Sequence, residues 1–209
     1  MTVPQLVSGI FNLIAAATWL VTCFGVILSV PLAILIARPR RNSRLVNLIT
    51  STPVAVSSVV VGLGILITYD VEPFDFRSAW WLIPAVHASV ALPYALRSIA
   101  PLVARVPTGL GEAAATLGAS PWRAWWSVEL PLLRPALATA TATSLAVSLG
   151  EFGATSLLTR RDTRTLPLLV ESLLGRSGGV GNTAGSAAAT LLLVLTGLVI
   201  VVLDRGLRT

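Results

Sequence analysis

From Ile10 to Ala37 the chain is almost continuously apolar, interrupted by Gly25 and Pro31. A run of that length exceeds the roughly 20 residues an α-helix needs to cross the hydrocarbon of a bilayer. Four more stretches of similar character come after it, at about 46–69, 80–100, 132–158 and 183–203. Inside hydrocarbon every peptide group must find its partner within the protein, so segments of this kind are helices. With 209 residues, 55% hydrophobic and only 11% charged, such a chain cannot hide its apolar side chains in a water-facing globule. The expected fold is therefore all-α: a polytopic membrane protein of about five spans, forming one transmembrane domain over 1–209.

Charge placement supplies the orientation. The net charge of +6 comes from 15 arginines against 9 acidic residues, with no lysine. Arginines gather at the ends of apolar runs, which is how membrane topology is encoded, and no nucleic-acid partner is expected. Arg38, Arg40, Arg41 and Arg44 place the first loop in the cytoplasm and the N-terminus outside, while Arg205 and Arg208 place the C-terminus inside. Arg160, Arg161 and Arg164 fall in an external loop against this bias, partly offset by Asp162. No positive residue precedes the first run and its length exceeds a signal-peptide core, so it reads as a retained span. A chain without lysine holds no Walker-type ATP site, which needs one to reach the phosphates. Cys23, the only cysteine, cannot form an internal disulfide and reads as packing.

Between the third and fourth runs, residues 112–131 (EAAATLGASPWRAWWSVELP) are too polar and too broken by Gly118, Pro121 and Pro131 to span. Thr108 can cap a short helix carrying Glu112 in its first turn, where a carboxylate favours the helix dipole, and Gly118 can end it. Ser120 then caps a second helix with Pro121 at its first position. Trp122, Trp125 and Trp126 fall on one face of that helix at i, i+3 and i+4, as aromatic rings do at a membrane boundary. Residues 108–131 thus form a cytoplasmic elbow, which on periodicity alone is equally an interfacial amphipathic helix.

Polar residues within the runs are the other candidates. Thr50, Ser51, Thr52, Pro53, Ser57 and Ser58 make the second run a kinked, hydroxyl-rich helix, suited either to a pore wall or to close helix packing. His87 lies about 10 Å into the third run at 1.5 Å per residue. No second His, Cys or carboxylate is near it in sequence, so no metal site is expected, and an interhelical hydrogen bond is favoured over contact with solute. Glu151 lies roughly 28 Å along the fourth run from the elbow, near the outer mouth. It reads either as a residue of the permeation path or of a docking surface, or as an anchor paired with Arg160 or Arg161. Ala136, Ala140, Ser144 and Ser148 form a small-residue stripe, and Gly181, Gly185 and Ala189 form another.

The spacing of the elbow resembles a known family. Glu112-Ala113-Ala114, three residues, Gly118, nine residues, Val128, one residue and Leu130-Pro131 closely resemble the EAA loop of permease subunits of bacterial binding-protein-dependent ABC importers. The stretches PVAVSSVVVGLGIL (53–66), SLGEFGA (148–154) and RTLPLLVESLLGR (164–176) look like those of ferric iron and thiamine permeases, the middle one also like molybdate permeases. The chain resembles the C-terminal half of a tandem permease, and against six-span relatives the resemblance implies that the first helix is missing.

The resemblance implies a type I importer permease core in the bacterial inner membrane. It implies that Glu112, Ala113, Ala114, Gly118, Val128, Leu130 and Pro131 form a coupling helix that docks on separate ATPase subunits, where ATP binds; this chain itself is no enzyme and carries no cofactor. A second permease subunit, identical or distinct, and an external solute-binding protein complete the implied assembly. Ser57, Ser58, His87 and Glu151 are then candidates for the translocation path or its outer mouth. Ferric iron or thiamine is the implied substrate, with a molybdate or sulfate type as the alternative. A secondary transporter, the competing class, would need ion-coupling groups at mid-membrane, for which only His87 is a candidate.

Overall fold

The computed structural model describes residues 25–37, 43–69, 79, 81–107, 109–159, 165–175 and 179–208, and among these it is helical with no strand. In chain order the helices are α1 (Gly25–Ala37), α2 (Ser43–Ala55), α3 (Ser58–Thr68), α4 (Leu82–Arg105), α5 (Gly109–Thr116), α6 (Pro121–Ala124), a π-helical turn (Trp125–Glu129), α7 (Leu130–Gly150), α8 (Gly153–Leu158), α9 (Leu166–Leu174) and α10 (Gly179–Arg208). Cys23, Trp80, Thr108, the arginines at 38, 40 and 41, the acidic loop at 70–78 and the charged loop at 160–164 lie outside the described residues. The same holds for the first part of the expected first span.

Helices α4 and α7 form the central pair. Ala136, Ala140, Ser144 and Ser148 are all buried, as is Ala95 on α4. Small side chains let two helix backbones approach, and in lipid that close packing replaces the hydrophobic drive that would hold helices together in water. Ile99, Leu96 and Val103 of α4, Leu133 of α7 and Ala33 of α1 complete this core. A second, smaller cluster joins Leu82 and Val86 at the start of α4 to Ala154 and Leu158 of α8, with Ile65 and Leu66 of α3 against it.

Among the described residues, three helical stretches are long and apolar enough to cross a membrane: Leu82–Arg105, Pro121–Gly150 and Thr183–Val202. The second expected span is instead two helices. Helix α2 stops at Ala55, Ser57 is extended (φ −60°, ψ 136°) and α3 begins at Ser58. The fourth expected span is likewise interrupted, because α7 ends at Gly150, Glu151 is extended (φ −70°, ψ 111°) and α8 begins at Gly153. At its other end it is longer than expected. Pro131 does not break it: the π-turn precedes a proline at the first turn of α7, and the helix runs unbroken from Pro121. An interior proline lacks one i→i−4 bond and crowds the carbonyl four residues back, and the wider π-turn at Trp125–Glu129 lies where that misfit falls.

The two interruptions face each other. A Cβ on Gly62 of α3 would lie 2.7 Å from Ala154 Cα and 3.0 Å from its carbonyl oxygen. A Cβ on Gly153 of α8 would collide with Ser58 Oγ and Val59. Helices α3 and α8 therefore pack backbone against backbone. On the other side of α7, α9 and α10 pack together: a Cβ on Gly185 would press on Leu174. Leu193, Leu198 and Val202 of α10 remain exposed and suit a lipid-facing helix.

Replacing Gly62 by alanine is expected to destabilise the protein by about 1–3 kcal/mol, since backbone cannot move aside as a side chain can. Gly64→Ala, where nothing lies within 4 Å of the new methyl, should be neutral or stabilising by up to about 1 kcal/mol, since alanine is favoured over glycine inside a helix. Parallel denaturant titrations in detergent check the pair, and equal midpoints would contradict the close approach of α3 and α8.

Candidate functional site

The elbow is built from two caps. Gly118 has φ +83°, a conformation glycine adopts without strain. Its N–H donates to the Ala115 carbonyl (2.9 Å) and the Ala119 N–H donates to the Ala114 carbonyl (3.0 Å). These two bonds form a Schellman motif and close the end of α5. Two residues on, Ser120 accepts from the Arg123 N–H (3.3 Å) with Pro121 at the first helical position, so α6 starts where the chain has just reversed. Glu112 lies in the first turn of α5.

Helix α5 packs against α6 and the π-turn, burying Ala114 and Ala124. Glu112, Ala113 and Gly118 are exposed, whereas Val128, Leu130 and Pro131 are half-buried. The tryptophans divide. Trp122 and Trp126 meet edge to face with centroids 5.5 Å apart and are 70% and 53% exposed, whereas Trp125 packs on the α4–α7 core. The single aromatic face expected from spacing is thus split: at about 100° per residue Trp125 and Trp126 stand about 100° apart around the helix, so the arc is wide enough for one to face the core and the other outward. Leu117, 88% exposed, carries no signal in the spacing, and it stands next to Gly118 at the corner.

At the other end of α7 the two helix interruptions line a cleft of about 340 Å³, bordered by Val56, Ser58, Val90, Tyr94, Gly150 and Glu151. Ser58 and Glu151, distant in sequence, are therefore brought together, and Tyr94 joins them. Ser57 is exposed and serves as the extended residue before α3. Glu151 is buried, with 7% exposure, and its Oε1 accepts the Ala154 N–H at 2.9 Å. One of its carboxylate oxygens is thus engaged in capping α8.

His87 is 6% exposed and bonded at both ring nitrogens: Nδ1 lies 2.8 Å from Ser148 Oγ and Nε2 lies 2.9 Å from Thr155 Oγ1. This is the interhelical bonding favoured from sequence, with partners 61 and 68 residues away. Thr155 in turn donates to the Glu151 carbonyl (3.3 Å). On α4, Tyr94 and Arg97 lie on an exposed face. Arg97 sits eight residues before Arg105, roughly 12 Å above the end of the helix.

A helical membrane protein with a capped corner at one end of its central pair and interrupted helices enclosing a cleft at the other has the architecture of a transporter's membrane subunit. The chain belongs to the family of binding-protein-dependent transport system inner membrane components, whose family model matches residues 25–208. Among curated proteins it is similar to a putative 2-aminoethylphosphonate transport system permease protein, PhnV, of Salmonella typhimurium, with 34% identity over 79% of this chain and 61% of that protein. It is similar also to the molybdenum transport system permease protein ModB of Mycobacterium tuberculosis, with 35% identity over 90% of this chain and 74% of that protein. The chain thus spans less than two thirds of the length of the phosphonate relative. Among solved structures, a chain of the MetNI methionine ABC transporter in an inward-facing form superposes with a TM-score of 0.74 at 22% identity, over all of this chain and 98% of that one. The fold is that of an ABC importer permease. These relatives bear phosphonate and molybdenum names, and among them the expected ferric iron or thiamine type finds no support.

The division of the tryptophans gives a stability test. Trp125→Ala is expected to cost roughly 2 kcal/mol or more, as buried aromatic truncations do, and Trp122→Ala less than about 0.5 kcal/mol. Unfolding midpoints of the two variants in detergent check this, with the reverse order contradicting the inward placement of Trp125.

Proposed function

We propose that this chain is the permease subunit of an ATP-driven importer and that its elbow is the handle by which a separate ATPase moves it. The observation that carries this reading is the corner itself: Leu117, Trp122 and Trp126 expose large apolar side chains on a rigidly capped turn outside the α4–α7 core. Apolar surface projecting from a corner of this kind fits a groove on a partner protein. ATP is hydrolysed on that partner. In this reading the elbow lies in the cytoplasm, the N-terminus outside and the C-terminus inside.

The chemistry is mechanical. Helices α4 and α7 meet at the elbow, so a displacement there rocks both, and the cleft at their far end changes its exposure. A second permease subunit, identical or not, faces this one across the path, and an external binding protein delivers solute. Rocking of this kind needs contacts that differ between two states, and the elbow is where the partner supplies them.

The cargo reading moves from ferric iron or thiamine toward a small oxyanion. The phosphonate and molybdenum names of the relatives support it, and so does Arg97. An arginine on an exposed position of a membrane-length helix is costly against lipid, by about 2.5–3.5 kcal/mol at the helix centre on insertion scales. A water-filled path or a neighbouring subunit relieves that cost, and a cation in a path raises the local concentration of anions. A secondary transporter fits less well, since both ring nitrogens of its single candidate, His87, are engaged.

Gly118→Asp is expected to abolish uptake by the assembled importer while leaving insertion intact, because a carboxylate and a side chain at φ +83° both disturb the corner. Solute uptake and ATPase activity measured together test this, and undiminished uptake would refute the role of the elbow. Arg97→Gln should lower oxyanion uptake about tenfold, the scale of one lost charged hydrogen bond, again with normal insertion. Unchanged uptake of molybdate and of phosphonate would remove Arg97 from the path.

A further inference from the structure

The membrane core divides into two packed bodies. One is α1, α4 and α7, closed by Ala95, Ala136, Ala140 and Ile99. The other is α3 with α8, held backbone to backbone at Gly62, Gly153 and Ala154. Each body joins its neighbour in sequence through a non-helical step, at 56–57 and at 151–152. Ser58 and Glu151, at these two steps, both border the cleft.

His87 stands where the bodies meet. It reaches Ser148 on α7 and Thr155 on α8, one residue on each side of the step at Glu151. A ring bonded to both sides of an interruption fixes the angle across it.

We propose that His87 is a latch: through Ser148 and Thr155 it holds the α3–α8 body against α4 and α7, and release of this latch lets that body pivot about the paired steps and widen the cleft. The network sets the proton positions. Thr155 Oγ1 lies 3.3 Å from the Glu151 carbonyl; with its one proton directed there it accepts from His87, and the assigned ring proton is on Nε2. Nδ1 is then the acceptor, and Ser148 donates to it. Every group in the chain Ser148, His87, Thr155, Glu151 is used once in one direction, so removing the ring leaves two buried hydroxyls short of a partner.

His87 is a positioning residue here, acting through α8. Leu82 and Val86 of α4 also pack against Ala154 and Leu158 of α8, and the His87 bonds are the directional contacts at that junction; that release of the latch admits solute rests on the importer reading. The test therefore uses the full chain in lipid nanodiscs without ATPase or solute, so that its outcome is independent of whether Gly118→Asp abolishes uptake.

Two measurements decide it. Nitrogen-15 NMR of the sole histidine should show a neutral ring protonated at Nε2 at neutral pH; an Nδ1–H tautomer or a doubly protonated ring would overturn the assigned network. Amide hydrogen exchange should show that His87→Leu speeds exchange at Ala154, Ser156 and Thr159 about tenfold or more, the consequence of losing a buried hydrogen bond that restrains local opening. Amides of Ala95 and Ala140 should stay unchanged in the same variant. His87→Gln, whose amide can donate to Thr155 and accept from Ser148, should restore exchange to within about threefold of the parent. Unchanged exchange at α8 in His87→Leu, equal acceleration in α4 and α7, or a glutamine variant no better than leucine would each sink the latch. Should His87→Leu fail to insert, Thr155→Val, which removes one of the two bonds, should speed exchange at Ser156 and Thr159, and unchanged exchange there would sink the latch.

Discussion

In hydrocarbon, a peptide N–H or carbonyl without a partner costs several kcal/mol, and a helix that stops inside the membrane exposes several at once. Two helices of this chain stop within spans that the sequence presents as continuous. The structure answers that cost locally. Glu151 Oε1 takes the Ala154 N–H, Thr155 takes up the Glu151 carbonyl, and the Ser156 N–H finds the Phe152 carbonyl at 2.8 Å. Elsewhere hydroxyls turn back on their own helices, as Thr141 does to the Leu137 carbonyl (2.7 Å) and Thr50 to that of Val46 (2.7 Å). Irregular backbone survives at membrane depth only where protein or a water-filled space surrounds it, and here the two irregular steps border one cleft.

The elbow and that cleft are opposite ends of the same rods. From Pro121 to Gly150 the chain is helical for 30 residues, about 45 Å at 1.5 Å per residue. Helix α4 returns alongside it for 24 residues, from His87 near one end to Arg105 beside the corner. The small residues along their seam keep the pair close enough to move together, and the capped corner binds their ends. In the proposed importer, a displacement applied at Trp122 would travel along this pair toward Glu151, and the interrupted helices are where the bundle would bend.

Much of this was legible in the sequence, and the division is physical. Turn and cap chemistry is local, so Glu112 in the first turn of α5, Gly118 at its end and Ser120-Pro121 at the start of α6 could be read from neighbours alone. The stripe from Ala136 to Ser148 was readable because helical periodicity places it on one face whatever packs there. The interruptions were not, since long apolar runs look the same whether the helix continues or steps. Pro131 misled in the other direction, its local signal being absorbed by a π-turn that no composition marks. Trp125 turned inward because the core of α4 and α7 reaches one edge of the aromatic arc, which spacing alone does not reveal. His87 could be suspected but not partnered: Ser148 and Thr155 are brought to it by tertiary packing, and only the small residues around them hinted that a helix would come close.

Two bodies in one bilayer raise the question of what should join them. Apolar contact is a weak choice, because lipid tails solvate Leu and Val as well as a protein does, and no hydrophobic gain distinguishes a closed seam from an open one. Close packing of glycine and alanine backbones is stronger but holds one geometry, which suits the inside of each body. A hydrogen bond between side chains in the membrane contributes on the order of 0.6 kcal/mol and at most about 2 kcal/mol, enough to bias a geometry and little enough to be exchanged during a cycle. The arrangement found here matches that order of strengths, with alanines and glycines inside the bodies and His87, Ser148 and Thr155 across the junction beside the apolar contact of Leu82 and Val86 with Ala154 and Leu158. A seam made this way can open without unfolding either side, which is what alternating access asks of a permease.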